Sequence, residues 1–406
     1  MQPYLTAESL QNMNNVAIIF DDLTEFHVMR PIIDRLKKER IDIDIIIPYD
    51  SGYNGLAEHT IRIIKEFGYK PKNDIPNNKK YKILLTPYPG LEVVKRTNFI
   101  YHIQYPYGAI SSKPYPTLAP GYRIEYDALF SFSTYDTDLL NACGSKVFTV
   151  PYWRYSNFKK IPNKLKKPIL LILPTFGTDT SCIQYFTDSS ISNLKKHYHV
   201  ITKAHHAVHF NLDGKDYSNT LRKIADESYD SDTPIDELLQ RADIVLSDNS
   251  GAIFESICAG IPTVLFAKDL NSRHLGTVNT PQYDFTNEGF FPYTNNPDKL
   301  LQTLSSAKKY RNKQTSLKKQ LFLEYPKDPL GPFVNVIKTY LKSDPKKDYR
   351  KAIHRLLVEE WKNHERTIRE QEQTIAKLNK EIQDLHNSTS WKITKPLRNI
   401  KEWRKK

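Results

Sequence analysis

The stretch that most constrains this chain is Ala242 to Asp269, A-D-I-V-L-S-D-N-S-G-A-I-F-E-S-I-C-A-G-I-P-T-V-L-F-A-K-D. An apolar run, Ile244 to Leu246, stops at Ser247-Asp248-Asn249-Ser250-Gly251. Ile253, Phe254, Ile257 and Cys258 then recur at helical spacing until Ala259-Gly260 and Pro262 end the pattern. A second apolar run, Thr263 to Ala267, follows at once. Strand, tight turn, helix and strand in so few residues demand a parallel pair with a right-handed crossover. The turn therefore lies at the carboxyl end of a parallel strand, where the N–H groups and dipole of a helix N-terminus can hold an anion.

The same alternation fills most of the chain. Val16 to Phe20, Ile41 to Ile47, Lys82 to Leu85, Phe99 to Ile103, Ala128 to Phe132 and Lys146 to Val150 read as strands, with helices over Phe26 to Lys38, His59 to Phe67 and Thr134 to Cys143. Pro151 to Lys167, which opens P-Y-W-R-Y and turns basic, reads as a connector. After it come strands at Ile169 to Leu173 and His199 to Lys203, and helices at Ile183 to Lys196, Tyr217 to Glu227 and Pro234 to Gln240. Further helices are expected near Pro297 to Leu304, Thr315 to Leu323 and Phe333 to Leu341. This is α/β grammar, and it predicts two doubly wound, Rossmann-like domains, residues 1–155 and 156–343, that face each other across a cleft.

The tail obeys a different rule. From Leu357 a heptad register places Trp361, Ile368, Ile375 and Ile382 at one seam position and Leu357, His364, Gln371, Leu378 and Leu385 at the other. Residues 346–387 are expected to form a coiled-coil helix that pairs two copies in parallel, with His364 and Gln371 as polar breaks. The alternative is a single helix packed back on the rest of the chain. Residues 388–406 set Trp391, Ile393, Leu397, Ile400 and Trp403 among Lys and Arg, a basic amphipathic pattern suited to an anionic membrane surface or to a solvated tail.

Net charge is +13 over 406 residues, which points to an anionic partner. The excess concentrates in the tail and connectors rather than beside aromatics on one sheet face, so nucleic acid is not the expected partner. Cys143, Cys182 and Cys258 lie far apart without metal spacing, which fits buried thiols in a cytoplasmic protein. No basic leader and no membrane-length apolar run is evident, so membrane association is expected to be peripheral.

The loops that follow strands carry the candidate chemistry. Ser247, Asp248, Asn249, Ser250 and Gly251 form the turn of the opening unit, with Ser250 where a helix cap belongs and Glu255 one helical turn further on, in position to accept ribose hydroxyls. P-T-F-G-T-D-T-S, residues 174–181, offers Gly177 and Thr178 to phosphate, or is an ordinary capped loop. Lys203, His205, His206 and His209 follow the next strand and suit anion binding or proton transfer better than zinc. In the first domain His102 and Tyr107, within Y-H-I-Q-Y-P-Y-G, are acid/base candidates. His102 also reads as a core histidine by strand alternation. Asp21, Asp22 and Glu25 are expected on the cleft rim.

Taken together, I-L-P-T-F-G-T-D, the basic His loop, S-D-N-S-G-A-I-F-E with G-I-P-T-V-L-F-A-K-D-L, and E-Y-P-K-D-P-L-G-P resemble the ordered motifs of the CDP-glycerol glycerophosphotransferase family, over about residues 80–340. The S-W-K-x-T-x-P-L-R segment near the C-terminus looks like that of many bacterial surface-polysaccharide transferases. The family resemblance implies the glycosyltransferase-B fold and teichoic acid or capsule synthesis at the inner face of the membrane. An acceptor hydroxyl would attack the β-phosphate of a CDP-activated polyol, without a bound cofactor, and CMP would leave. It makes Ser247, Asp248, Asn249 and Ser250 part of the nucleotide diphosphate site, with Thr175 and His206 beside the phosphates. Two departures stand out: Tyr107 occupies the place of the family's histidine base, and the chain reads D-N-S-G with Glu255 where the family reads D-Y-S-S with a later aspartate. A glycosyltransferase using a UDP- or CDP-sugar, and a non-catalytic scaffold subunit, are the alternative readings.

Overall fold

The computed structural model describes residues 14–20, 22–48, 56–75, 79–87, 99–106, 108–110, 126–142, 146–176, 181–205, 214–271, 279–343 and 349–388. The chain divides into two compact units, residues 1–346 and 347–406.

The first unit opens with β1 (Asn15–Ile19), α1 (Leu23–Lys38), β2 (Asp42–Ile46), α2 (Leu56–Glu66), β3 (Tyr81–Thr86), β4 (Phe99–Gln104), β5 (Ala128–Ser131), α3 (Thr134–Ala142) and β6 (Val147–Thr149). Among the described residues these strands form one sheet in the order β2-β1-β3-β4-β5-β6, every pairing parallel. A second sheet follows from β7 (Ile169–Leu173), α4 (Asp188–His197), β8 (His199–Lys203), α5 (Gly214–Ile224), β9 (Glu227–Tyr229), α6 (Ile235–Arg241), β10 (Ile244–Ser247), α7 (Ala252–Ala259), β11 (Thr263–Phe266), α8 (Pro281–Asn287) and β12 (Tyr293–Thr294). Its order is β12-β11-β10-β7-β8-β9, again parallel throughout. Helices α9 (Leu300–Ser306), α10 (Arg311–Leu321) and α11 (Gly331–Lys342) complete the unit. The central strands β3, β7 and β10 are buried along their whole length, as parallel strands covered on both faces must be. In the second sheet the order reverses between β7 and β10, and at such a point the loops leaving the two strands open a crevice.

The two-sheet α/β fold expected from the sequence is the observed one, with three local differences. The helix expected over Ile183 to Lys196 breaks into a 3-10 turn, Cys182–Tyr185, and α4. Thr187 resets it with a capping box: its hydroxyl accepts from the Ser190 N–H while the Ser190 hydroxyl accepts from the Thr187 N–H. The helix expected to reach Glu227 ends at Ile224, because Glu227–Tyr229 pairs with β8 as an edge strand. Its Glu227 carboxylate is held by Arg241 and Tyr229 and by the His199 ring, all within 2.7 Å. Finally, α11 belongs by sequence to the second domain but packs on the first sheet. There Phe333 stacks on Phe130 at 3.9 Å, and Tyr340 donates to the Asp127 carbonyl at 3.1 Å.

The second unit is described as one helix, α12 (Tyr349–Asn387), on which Ile368, Ile375, Leu378 and Ile382 are each at least half exposed. Among the described residues no helix is long and apolar enough to cross a membrane.

Candidate active site in the cleft between the sheets

The crevice, about 120 Å³ and open to solvent at its mouth, lies between the two sheets. Leu23, Thr24, His27, Gly108 and Ile110 line one wall, and Thr175, Phe176, Lys203, His205, Ser250 and Glu255 line the facing one. Arg154 and the segment Ser231 to Ile235 line it too.

The turn after β10 is built from below. The Ser247 hydroxyl donates to the Leu173 carbonyl at 2.5 Å, tying β10 to β7. Asp248 is fully buried, and its carboxylate accepts N–H groups from Thr175 at 2.9 and 3.1 Å, Cys182 at 2.8 Å and Ser250 at 3.1 Å. One side chain thus fixes the loops after β7 and β10 to each other. Burial, with Asp248 adjoining, pushes the Cys182 thiol well above its usual range, so it stays a thiol at neutral pH. Asn249 donates to the Asp269 carbonyl at 2.9 Å. Ser250 and Gly251 reach the cleft, and the Ser250 hydroxyl accepts from the Ala252 N–H at the start of α7.

Glu255, expected from its spacing to meet ribose hydroxyls, lines the cleft and also joins its two sides. Its carboxylate accepts from the Tyr152 hydroxyl at 2.8 and 3.0 Å and from the Ala109 N–H at 3.1 Å. It bridges α7 to the first sheet's loop and to the connector. Gly108 passes so close that a Cβ there would sit 3.7 Å from Glu255 Oε1.

The remaining polar groups at the cleft include two cations, Lys203 and Arg154. Lys203 ends β8 and donates to the carbonyls of Ala204 at 3.1 Å and Ser231 at 2.9 Å. Burial, with Arg154 nearby, brings its ammonium down to about 8. Arg154 leaves the 3-10 turn Trp153–Tyr155 and donates through Nε and Nη2 to Asp236 Oδ1 at 3.0 and 2.6 Å. His27 stands on α1, its ring edge-on to Phe67, and burial together with Arg154 lowers it to about 4. His205 lies against Phe176, ring centroids 5.2 Å apart. Asp232 is 2.5 Å from His59 Nε2, an ion pair when the ring is protonated. Two partly desolvated cations, Lys203 and the Asp236-paired Arg154, favour an anion near them. Among the described residues no group of three or more His, Cys, Asp or Glu side chains is disposed to hold a metal ion.

Thr175, Lys203, His205, Ser250, Gly251 and Glu255 thus meet at the cleft, while Ser247, Asp248 and Asn249 lie beneath it as its frame. His102 is not brought to the cleft. Its Nε2 is 2.8 Å from the Thr86 hydroxyl and its half-buried ring packs against Phe99 and Tyr126. Of the expected acidic rim, Asp22 caps α1 by accepting from the Thr24 and Glu25 N–H groups and lies near Lys203, whereas Glu25 is fully buried rather than on the rim. Tyr107, Gly177, Thr178, His206, His209, Asp21 and residues 389–406 lie outside the described residues. Sequence reading missed His27, inside an amphipathic helix, and Arg154, whose only local signal was the W-R-Y of the connector.

Residues 156–327 match the family model described as CDP-glycerol:poly(glycerophosphate) glycerophosphotransferase. A teichoic acid glycerol-phosphate primase from Bacillus subtilis (strain 168) is 30% identical over 146 residues, which is 34% of this chain and 36% of that relative. The chain thus spans little more than a third of that relative's length. Among solved structures, the wall teichoic acid polymerase TagF aligns at a TM-score of 0.53 and 14% identity, over 81% of this chain and 89% of its own. A UDP-GlcNAc 2-epimerase from Neisseria meningitidis bound to UDP-GlcNAc aligns at 0.53 and 12% identity, over 81% and 100%. The fold is therefore of the glycosyltransferase-B type, and the segment that builds the second sheet and its cleft wall is a match to the CDP-glycerol glycerophosphotransferase family.

Proposed function

We propose that the chain is a transferase that moves a polyol phosphate, of the glycerol phosphate type, from a CDP-activated donor to a bacterial cell-surface polymer or its lipid-linked precursor. The observation that carries this reading is the coincidence of the family match with one wall of the cleft. Residues 156–327 contain Thr175, Lys203, His205, Ser250 and Gly251, the groups that face the opening with hydroxyls, backbone N–H groups and positive charge. The donor's diphosphate would lie against that wall, and Lys203 with Arg154 would offset charge developing on the transferred phosphoryl group. Thr175, Gly177, Thr178 and His206 are assigned to the same phosphates, and Tyr107 to the acceptor side.

The alternative transfer, of a sugar from a UDP- or CDP-sugar, drew on Glu255 as a ribose ligand. The hydrogen bonds of that carboxylate to Tyr152 and Ala109 weaken it. The protein is further assigned to the cytoplasmic face of the membrane, held there by the basic residues 388–406, and to a homodimer through the heptads of α12.

Incubating the protein with CDP-glycerol and a lipid-linked acceptor tests the assignment. Release of CMP with phosphate retained in the product is expected, and release of a nucleoside diphosphate from a sugar nucleotide would replace it with glycosyl transfer. In calorimetry CMP and CDP should bind in preference to UMP and UDP, and binding of none of the four would point to a scaffold.

A further inference from the structure

We propose that His27 is the proton acceptor of the cleft, its imidazole taking the proton of the acceptor hydroxyl as that oxygen attacks. The inference rests on the transferase reading above and adds a residue that neither the loop motifs nor the family match contains, since His27 lies outside residues 156–327.

The position follows from the fold. Asp22 caps α1 where the chain leaves β1, and the first turns of that helix then place Leu23, Thr24 and His27 on the cleft wall that faces Thr175 and Ser250. Among the described cleft-lining residues His27 is the titratable group supplied by the first sheet's side; the others come from the connector or the second sheet.

Elimination narrows the choice further. Arg154 keeps its proton at any ordinary pH, and Lys203 keeps its own below about 8. Asp232 is 2.5 Å from the His59 ring. The Glu255 carboxylate is occupied by Tyr152 and Ala109. His205 stands on the phosphate side, beside Phe176.

The charge state suits the task. The charged groups that face His27 are Arg154 from the connector, Asp236 from α6, Lys203 from β8 and Arg30 from its own helix. Burial, helped by Arg154, Arg30 and Lys203 and opposed by Asp236, keeps its ring neutral at physiological pH, ready to accept. A diphosphate bound between Arg154 and Lys203 would offset their charge and raise the basicity of the ring only when donor is present.

In the balanced step the hydroxyl oxygen bonds to the donor's β-phosphorus and the bond from that phosphorus to the bridging oxygen breaks. CMP departs with the electron pair. The proton passes to His27 and then to water.

The experiment compares wild type with His27→Gln, which keeps the polar shape. The variant should lose about a hundredfold or more in kcat while its calorimetric affinity for CDP changes by less than about threefold. Wild-type kcat should fall on acidification as the ring protonates in the donor complex, and that acid limb should vanish in the variant. Retained turnover would overturn the assignment. So would loss of kcat together with CDP affinity and urea stability while the acid limb persists, which is what a packing role alone would give. The limb is read on whichever donor is turned over, so the identity of the released nucleotide judges the proposed function separately.

Discussion

Asp248 shows how one residue serves the site without touching it. It is fully buried, and its carboxylate gathers N–H groups from Thr175, Cys182 and Ser250, on two loops that must hold a fixed distance for a diphosphate to fit. Asp248→Asn presents an amide NH2 to at least one of these donors. Leaving buried N–H groups unpaired should cost about 2–3 kcal/mol, read as a lower urea midpoint, and should weaken nucleotide binding as the loops separate. Lys203 makes the second prediction at this scale. Its ammonium titrates near 8 in the folded protein, against an ordinary 10.5. Between those values the unfolded chain binds the extra proton, so this residue's cost to stability is full below pH 8 and fades as pH rises toward 10.5. Binding of a nucleotide diphosphate needs the charged form, so affinity should decline above about pH 8. Lys203→Met should be weaker at neutral pH and flat across that range, as calorimetry at pH 7 and pH 9 would read.

Elements were legible where burial wrote a continuous apolar run. Ile169–Leu173 stands where the sequence placed it, and Ile244–Ser247 differs by one residue, because a strand covered on both faces has few polar positions to blur it. Glu227–Tyr229 was not legible: this edge strand, held by Arg241 and His199, carries Glu227 and Ser228 where a periodicity rule expects apolar residues. The site divides in the same way. Ser250 and Lys203 follow strands and announce themselves as loop ends, whereas Arg154, His27 and the Tyr152–Glu255 contact depend on partners that the fold brings from distant segments. The return of α11 to the first sheet is also long-range, and it has a measurable consequence. Phe333 is fully buried, stacked on Phe130 and edge-on to Trp153 at 5.3 Å. Phe333→Ala should cost about 3–5 kcal/mol, and amide exchange should quicken first in β4 and β5 rather than in the second sheet to which α11 is closer in sequence.

For the whole molecule the remaining question is the assembly set by α12. On this helix Ile368, Ile375 and Ile382 repeat every seven residues, with Leu378 on the same seam, and all four are at least half exposed in the single chain. Burying such a seam in a second copy removes apolar surface at about 25 cal/mol per Å². Isoleucine at one seam position and leucine at the other favours a parallel pair, while Gln371 at the second position limits the stability and fixes the register. A parallel pair would bring two copies of the basic segment 388–406 to one end, and two weak electrostatic anchors bind an anionic surface far more tightly than one. Sedimentation equilibrium should therefore give twice the chain mass for the full protein. The double substitution Ile368→Asp, Ile375→Asp should give the single mass, because charges placed on a desolvated seam oppose pairing. If anchoring depends on pairing, the same variant should lose most of its binding to vesicles containing phosphatidylglycerol while CDP affinity stays unchanged. A full-length protein that sediments as a monomer at micromolar concentration would remove the dimer, and the avidity argument with it.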